Sequence, residues 1–277
     1  MTRKRWFLAT SFLASVMAAA QPSHAQASGE VVQATPSATA VAALNRNLAL
    51  LSRNPQDATA LLGAGQAALD LGDVQAANGF YTRANMVNPR LGKAKLGLAV
   101  VQIALKQPSE AAVNFDAAEA LGERADGHYT DRGLAYDLTG QQAKAQADYQ
   151  SALRTNPSDP IARLRYAVSL GISGRMTEAD QQLQQGLAAG DRESWRMRAF
   201  IYAMNGRIAD ARKVTQSVMP KGLADALDPY MLRLSLLDAK QKASAAYYGE
   251  FPTNVVRLAA PEPSREGGKR VATATPG

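Results

Sequence analysis

The chain contains no cysteine. That absence excludes a disulfide, a cysteine-based zinc site and a lipid anchor carried on an N-terminal cysteine. Histidine is almost as scarce: only His24 and His128 occur, and His24 lies in the leader described below. With one histidine left, no His/Cys metal cluster can form, and a Ser-His-Asp triad would have to use His128. No serine sits in a strand–turn–helix elbow, because the alternating apolar pattern of β-strands is missing throughout. The glycines are spaced as turn and packing residues, and none forms a phosphate-cradling loop. Asp131 and Asp137 flank Gly133, but a separation of six puts them on different helix faces, where carboxylates read as solvated surface. No Lys/Arg block resembles a nucleic-acid stripe. An enzyme is therefore not expected, and neither is a cofactor, a metal or a nucleic-acid partner.

Long apolar runs are also missing, with one exception. Trp6 to Ala20 is apolar and follows Arg3, Lys4 and Arg5. It is too short for a comfortable membrane span. Ser23-His24-Ala25 and Ala25-Gln26-Ala27 both place small residues where a signal peptidase needs them. Residues 1–25 are expected to be a cleaved export signal, cut after Ala25 or Ala27, with an uncleaved anchor as the alternative. The mature chain is then expected to be periplasmic, without a membrane span of its own. Cleavage removes three basic residues and no acidic ones, so the net charge falls from +7 to +4. Residues 26–38 read as a flexible lead-in. Residues 252–277, with Pro261, Pro263, Gly267, Gly268 and Pro276, read as a disordered tail.

Between these ends one pattern recurs. Ala77, Ala111, Ala145 and Ala179 stand 34 residues apart, and Ala211 follows two residues early. A small residue sits where two helices would cross: Gly65, Ala99, Gly133, Ala167 and Ala199. A large residue precedes a second small one: Tyr81 before Ala84, Phe115 before Ala118, Tyr149 before Ala152, Leu183 before Gly186. Gly72, Gly140, Gly174 and Gly206 mark a turn, and Asn88-Pro89 and Asn156-Pro157 mark a stop. Small residues let two antiparallel helices approach, and the large residue fills the neighbouring gap. Glycine takes the left-handed conformation that ends the first helix of each pair, and proline ends the second. The pattern resembles a tetratricopeptide repeat, a helix-turn-helix unit of this period. It implies an all-α solenoid of about five repeats with flanking capping helices.

The expected array spans 56–219, with repeats at 58–91, 92–125, 126–159, 160–191 and 192–218. The second repeat is degenerate, with Lys106 in place of the turn glycine and no closing proline. Residues 39–55 read as an N-terminal capping helix, and 220–251 as two short helices, ended by Gly249 and Pro252, that can cap the other end.

Such arrays work through a concave face lined by the first helix of each repeat. The fifth position of each repeat gives Leu62, Leu96, Thr130, Leu164 and Arg196. The ninth gives Gln66, Val100, Leu134, Val168 and Phe200, and the thirteenth adds Asp70, Ala104, Leu138, Ile172 and Met204. The groove is mostly apolar, and the Lys/Asn set with which some tetratricopeptide proteins clamp a C-terminal carboxylate is missing. An apolar groove suits an amphipathic helix or an apolar peptide of a protein partner. The competing reading is that the protein's own terminal helices cover this stripe, because large exposed apolar patches are uncommon on monomers. Leu134→Asp separates the two: lost partner capture with intact helicity marks a surface, and lost folding marks a core.

Three segments carry a narrower likeness: "GLAYDLTG" from Gly133, "ADYQSALRTNPSD" from Ala147 and "RLRYAVSLGISGRMTEA" from Arg163. With "SWRMRAFIYAMNGRIADAR" after them, the stretch 126–212 is similar to the TadD-like family of Tad (Flp) pilus assembly proteins. The resemblance implies association with the outer membrane and help to the pilus secretin in assembling or localising. Members of that family are commonly lipoproteins. This chain has no cysteine to lipidate, so it would be a soluble periplasmic relative or reach the membrane through a partner. A general periplasmic interaction module for envelope or secretion machinery is the alternative. Neither reading supplies catalytic residues.

Overall fold

A computed structural model describes residues 37–252. The export signal, most of the lead-in and nearly all of the tail expected above lie outside the described residues. Thirteen helices and no strand are found among the described residues. They are α1 (Ala38–Leu51), α2 (Ala58–Asp70), α3 (Val74–Val87), α4 (Gly92–Ala104), α5 (Pro108–Ala120), α6 (Tyr129–Leu138), α7 (Gln142–Thr155), α8 (Pro160–Ile172), α9 (Met176–Ala188), α10 (Arg192–Met204), α11 (Ile208–Val218), α12 (Lys221–Leu234) and α13 (Ala239–Tyr248). None is long and apolar enough to cross a membrane.

Local chemistry sets the helix ends. Asp57, Asp73, Asp159, Asp191 and Asp238 each accept backbone N–H bonds at the start of a helix, and Asp238 and Gln241 complete a capping box. Pro108 and Pro160 stand at first helical positions, where the missing N–H costs nothing. Asn88 and Asn156 are forced into extended backbone by the prolines that follow them, and α3 and α7 stop there. The turn residues Gly72, Gly140, Gly174 and Gly206 have φ between 76° and 83°. Lys106 fills the equivalent place in the degenerate repeat and accepts the same left-handed backbone, at φ 57°.

The helices stack in pairs: α2 with α3, α4 with α5, α6 with α7, α8 with α9 and α10 with α11. Consecutive first helices, α2, α4, α6, α8 and α10, also touch one another and build the inner face. The small-to-large packing is direct at Gly133, where a Cβ would come within 2.7 Å of the Tyr149 ring. A buried ion pair joins α6 to α7: Arg132 donates from Nε and Nη2 to both Asp148 oxygens at 2.8 and 2.7 Å, and from Nη1 to Glu119 of α5 at 3.2 Å.

The two C-terminal helices behave differently. α12 continues the stack, packing on α10 and α11. α13 does not pair with α12 as the second helix of a sixth unit would, and it does not cap the end. It turns back and packs on α6, α8 and α10, inside the groove.

Candidate functional site

The first repeats leave the inner face accessible. The proline missing from the second repeat has a structural counterpart: an eight-residue connection, 121–128, joins α5 to α6, with Gly122 and Gly127 both at positive φ. This loop overhangs α2 and α4 and bounds a cleft of about 1120 Å³. Leu62, Leu69, Leu96 and Val100 supply an apolar floor, and all four are only partly buried. The rim is charged, with Lys93 and Arg124 among Asp70, Glu123, Asp126 and Asp131, and His128 beside them. Gln66 donates to Asp70 at 2.8 Å and accepts from the Tyr81 hydroxyl at 3.4 Å. Burial, reinforced by the nearby Asp70 charge, pushes the Tyr81 phenol up to about 12. Arg124 pairs with Asp126 at 3.0 Å, and the Tyr129 hydroxyl donates to Asp126 at 2.8 Å. These bonds, Tyr129's first, hold the Asp126 carboxyl below its ordinary value.

The later repeats are covered. Leu134, Leu138, Val168, Ile172, Phe200 and Met204 are all buried, in one hydrophobic cluster with Ala243, Ala245 and Ala246 of α13 and with Met231 and Leu234 of α12. At the centre lies Asp137, which is fully buried and not the solvated carboxylate that its spacing implies. Three hydroxyls donate to it: Ser169 to Oδ1 at 2.7 Å, and Tyr247 and Tyr149 to Oδ2 at 2.7 and 3.1 Å. The Tyr247 hydroxyl also lies 3.1 Å from the Arg165 carbonyl. Desolvation raises the Asp137 pKa to about 7, against the opposing effect of the three hydroxyl bonds and the Arg165 charge. Asp131, by contrast, is part-exposed and pairs with Arg165 at 3.3 Å.

The fifteen residues expected along one groove therefore fall into distinct environments, with Asp70 on the rim of the open cleft and Ala104 exposed at the end of α4. Leu62, Gln66, Leu96 and Val100 come together in the open cleft. The six buried residues named above are core, because α13 packs on α6, α8 and α10 and α12 packs on α10. Leu164 and Arg196 edge a second cavity of about 530 Å³, shared with Val168, Met197, Ala246 and Tyr247. Arg196 is exposed and also bonded to Glu193. Thr130 is half-buried between the two regions, its carbonyl accepting from Arg165 at 3.0 Å. Sequence reasoning does not find Asp137, Ser169, Arg165 and Tyr247 as a cluster, nor the rim residues Lys93, Arg124 and Asp126. Two signals point that way: the uncharged run Ala243 to Gly249, which is short of surface character, and the missing proline before the 121–128 loop. Among the described residues no group of three or more His, Asp or Glu side chains is placed to hold a metal ion.

Comparison with known proteins agrees with this architecture. The tetratricopeptide repeat family profile matches residues 37–86 and 130–191. Among solved structures, the chain is similar to YrrB, a TPR protein with an unusual peptide-binding site, at 19% identity and a TM-score of 0.54, over 70% of this chain and 100% of that one. It is also similar to a tetratricopeptide repeat protein from Parabacteroides merdae ATCC 43184, at 18% identity and a TM-score of 0.50, over 79% of this chain and 91% of that one. At these identities the likeness is one of fold. No curated protein matches the chain.

Proposed function

Starting from an all-α solenoid that carries tetratricopeptide repeats, we propose that this protein is a non-enzymatic periplasmic scaffold. It holds a protein partner in the open half of its groove and serves assembly of a Tad (Flp)-type pilus at the outer-membrane secretin. The cleft over α2 and α4 carries this reading: an apolar floor of half-buried Leu62, Leu96 and Val100 inside a rim of both charges. Such a surface suits an amphipathic helix or an extended peptide. Apolar side chains gain burial on the floor, and the rim fixes register and orientation. YrrB, of similar fold, has a peptide-binding site, which supports a peptide as the occupant. The pilus assignment draws on the resemblance over 126–212, and the location on the leader sequence.

A photo-crosslinking amino acid at Val100, used in intact cells, tests all three parts. The expected capture is a secretin or another pilus component, lost on Leu96→Asp. Capture of an envelope protein outside the pilus would keep the scaffold and remove the pilus assignment. No capture at all would overturn the scaffold reading. The mature N-terminus is expected at Gln26 or Ser28; a chain still beginning at Met1 would contradict export by a cleaved leader.

A further inference from the structure

The second cavity, of about 530 Å³, is a half-open cleft between α8, α9 and α10, a volume in the range of small-ligand pockets. Its floor is apolar: Val168, Leu183 and Met197 are buried, and Leu164 is half-buried. Ile161 lines the mouth with more than half of its surface exposed. The charged groups around the cleft differ in how far they are already engaged. Asp191 is used up as the cap of α10: it accepts from the Glu193 and Ser194 N–H groups and from the Ser194 hydroxyl. Glu193 accepts from Arg196. Arg165 donates only from Nη1, to the Thr130 carbonyl and to Asp131, so its Nε and Nη2 have no partner among the described residues. Arg163 donates from Nη2 to the Pro157 carbonyl and meets no carboxylate among the described residues.

A guanidinium presents its donors in a rigid fork that matches a carboxylate. Two guanidiniums with unused donors therefore line a cleft whose own carboxylates are engaged, and the chemistry missing from the site is an anion. We propose that this cleft binds a small apolar acid, a single carboxylate on a medium-length aliphatic chain. The carboxylate takes the unused N–H groups of Arg163 and Arg165, as charge-assisted bonds. The chain lies on Ile161, Leu164 and Met197 and removes from water the apolar surface that the fold leaves open there. α13 stays in place throughout, with Ala246 and Tyr247 as part of the wall. The site is separate from the open cleft over α2 and α4, so either can fail without the other.

The test is a titration of the full chain with decanoate, kept below its micellar concentration and followed through the methyl signals of isotope-labelled methionine. Met197→Leu assigns the signal from the cleft floor, which is expected to shift saturably. Decanol has the same chain without the charge and is expected to bind about tenfold more weakly, the worth of one hydrogen bond between charged groups. Arg163→Gln is expected to weaken decanoate by a similar factor and to leave decanol unchanged. Ala189 is exposed at the mouth, so changes there are expected to leave the fold intact. Ala189→Glu is expected to weaken decanoate and Ala189→Lys to tighten it, with both effects shrinking in high salt. A short peptide ending in leucine with a free carboxyl carries the same chemistry and is expected to bind more weakly than decanoate; tighter binding would overturn the assignment to a small acid. No saturable shift at Met197, equal affinity for decanoate and decanol, or a decanoate affinity that ignores Arg163→Gln and both changes at Ala189, would overturn the site itself.

Discussion

Val100 and Val168 hold the same repeat position, yet Val100 is only partly buried on the floor of the open cleft while Val168 is buried core. Over α2 and α4 the floor stays open; over α6, α8 and α10 it is core. Part of the difference lies in the repeats themselves: the thirteenth position is Asp70 and Ala104 in the open half but Leu138, Ile172 and Met204 in the covered half. A segment outside the repeats supplies the rest: α13 reaches one half and not the other. Repeat grammar therefore specifies an inner face without specifying on its own whether that face is surface or interior. The ion pairs differ as well: Arg124–Asp126 on the rim of the open cleft is exposed, whereas Arg132–Asp148, packed between α5, α6 and α7, has side chains only 11% and 6% exposed.

The sharpest way to break this comparison is to put the same charge into both halves. Leu134→Asp places a carboxylate in a site that is 4% exposed, and is expected to cost about 5 kcal/mol, through lost burial plus an unpaired charge. That is enough to unfold a domain of ordinary stability. Leu96→Asp in the open cleft is expected to leave the helical signal and the urea midpoint nearly unchanged while removing partner capture. Equal losses in urea titrations would mean that the cleft floor is core as well. The ion pairs give the next largest contrast. Arg132→Ala strands Asp148 without its partner and is expected to cost about 3–5 kcal/mol, whereas Arg124→Ala is expected to leave stability unmoved. Gly→Ala gives a smaller contrast, with opposite signs. At Gly133 the new methyl meets the Tyr149 ring, and overpacking costs about 1–3 kcal/mol. At Gly79 on α3 a Cβ meets nothing within 4 Å, and the better helix former is expected to stabilise by about 0.5–1 kcal/mol. Thermal melts of the two variants should shift in opposite directions.

What the sequence makes legible is what repeats. A 34-residue period, Asn-Pro stops and small residues opposite aromatic ones are local signals, and each has a counterpart at a helix end or a helix crossing. Lys106 is visible as a departure, and the backbone answers by holding it in the glycine conformation. The covered groove is not legible because its cause is distant. Asp137 looks solvated by spacing along its own helix, but the hydroxyl that helps to bury it belongs to Tyr247, 110 residues later. α13 is composed mostly of alanine, serine, lysine and tyrosine, so its pattern names no face strongly enough to say where it docks. The open cleft is half legible: Leu62, Leu96 and Val100 follow from repeat position. The rim from the 121–128 loop follows only once the absent proline is read as a longer connection.

One further expected effect, about as small as the glycine contrast, isolates α13. Asp137 faces Tyr149 of α7, Ser169 and Arg165 of α8 and Tyr247 of α13. Burial raises both tyrosine phenols well above their ordinary value, so they remain neutral donors across the neutral range. Asp137 is therefore the group in this set that titrates, with its pKa raised from 3.8 to about 7 in the docked structure. A raised carboxyl pKa means that the docked state holds its proton more tightly than a solvated carboxyl would. The stabilisation this proton contributes is complete below about pH 4 and is lost as the pH rises through about 7. α13 should then open more readily at pH 8 than at pH 5.5, by about tenfold once intrinsic exchange is corrected for. The helices of the open half, α2 and α4, should show no such trend. Asp137→Asn removes the titration and should flatten the dependence. A trend that survives Asp137→Asn, or that appears equally in α2, would assign the pH response to the whole array and dissolve the distinction between its two halves.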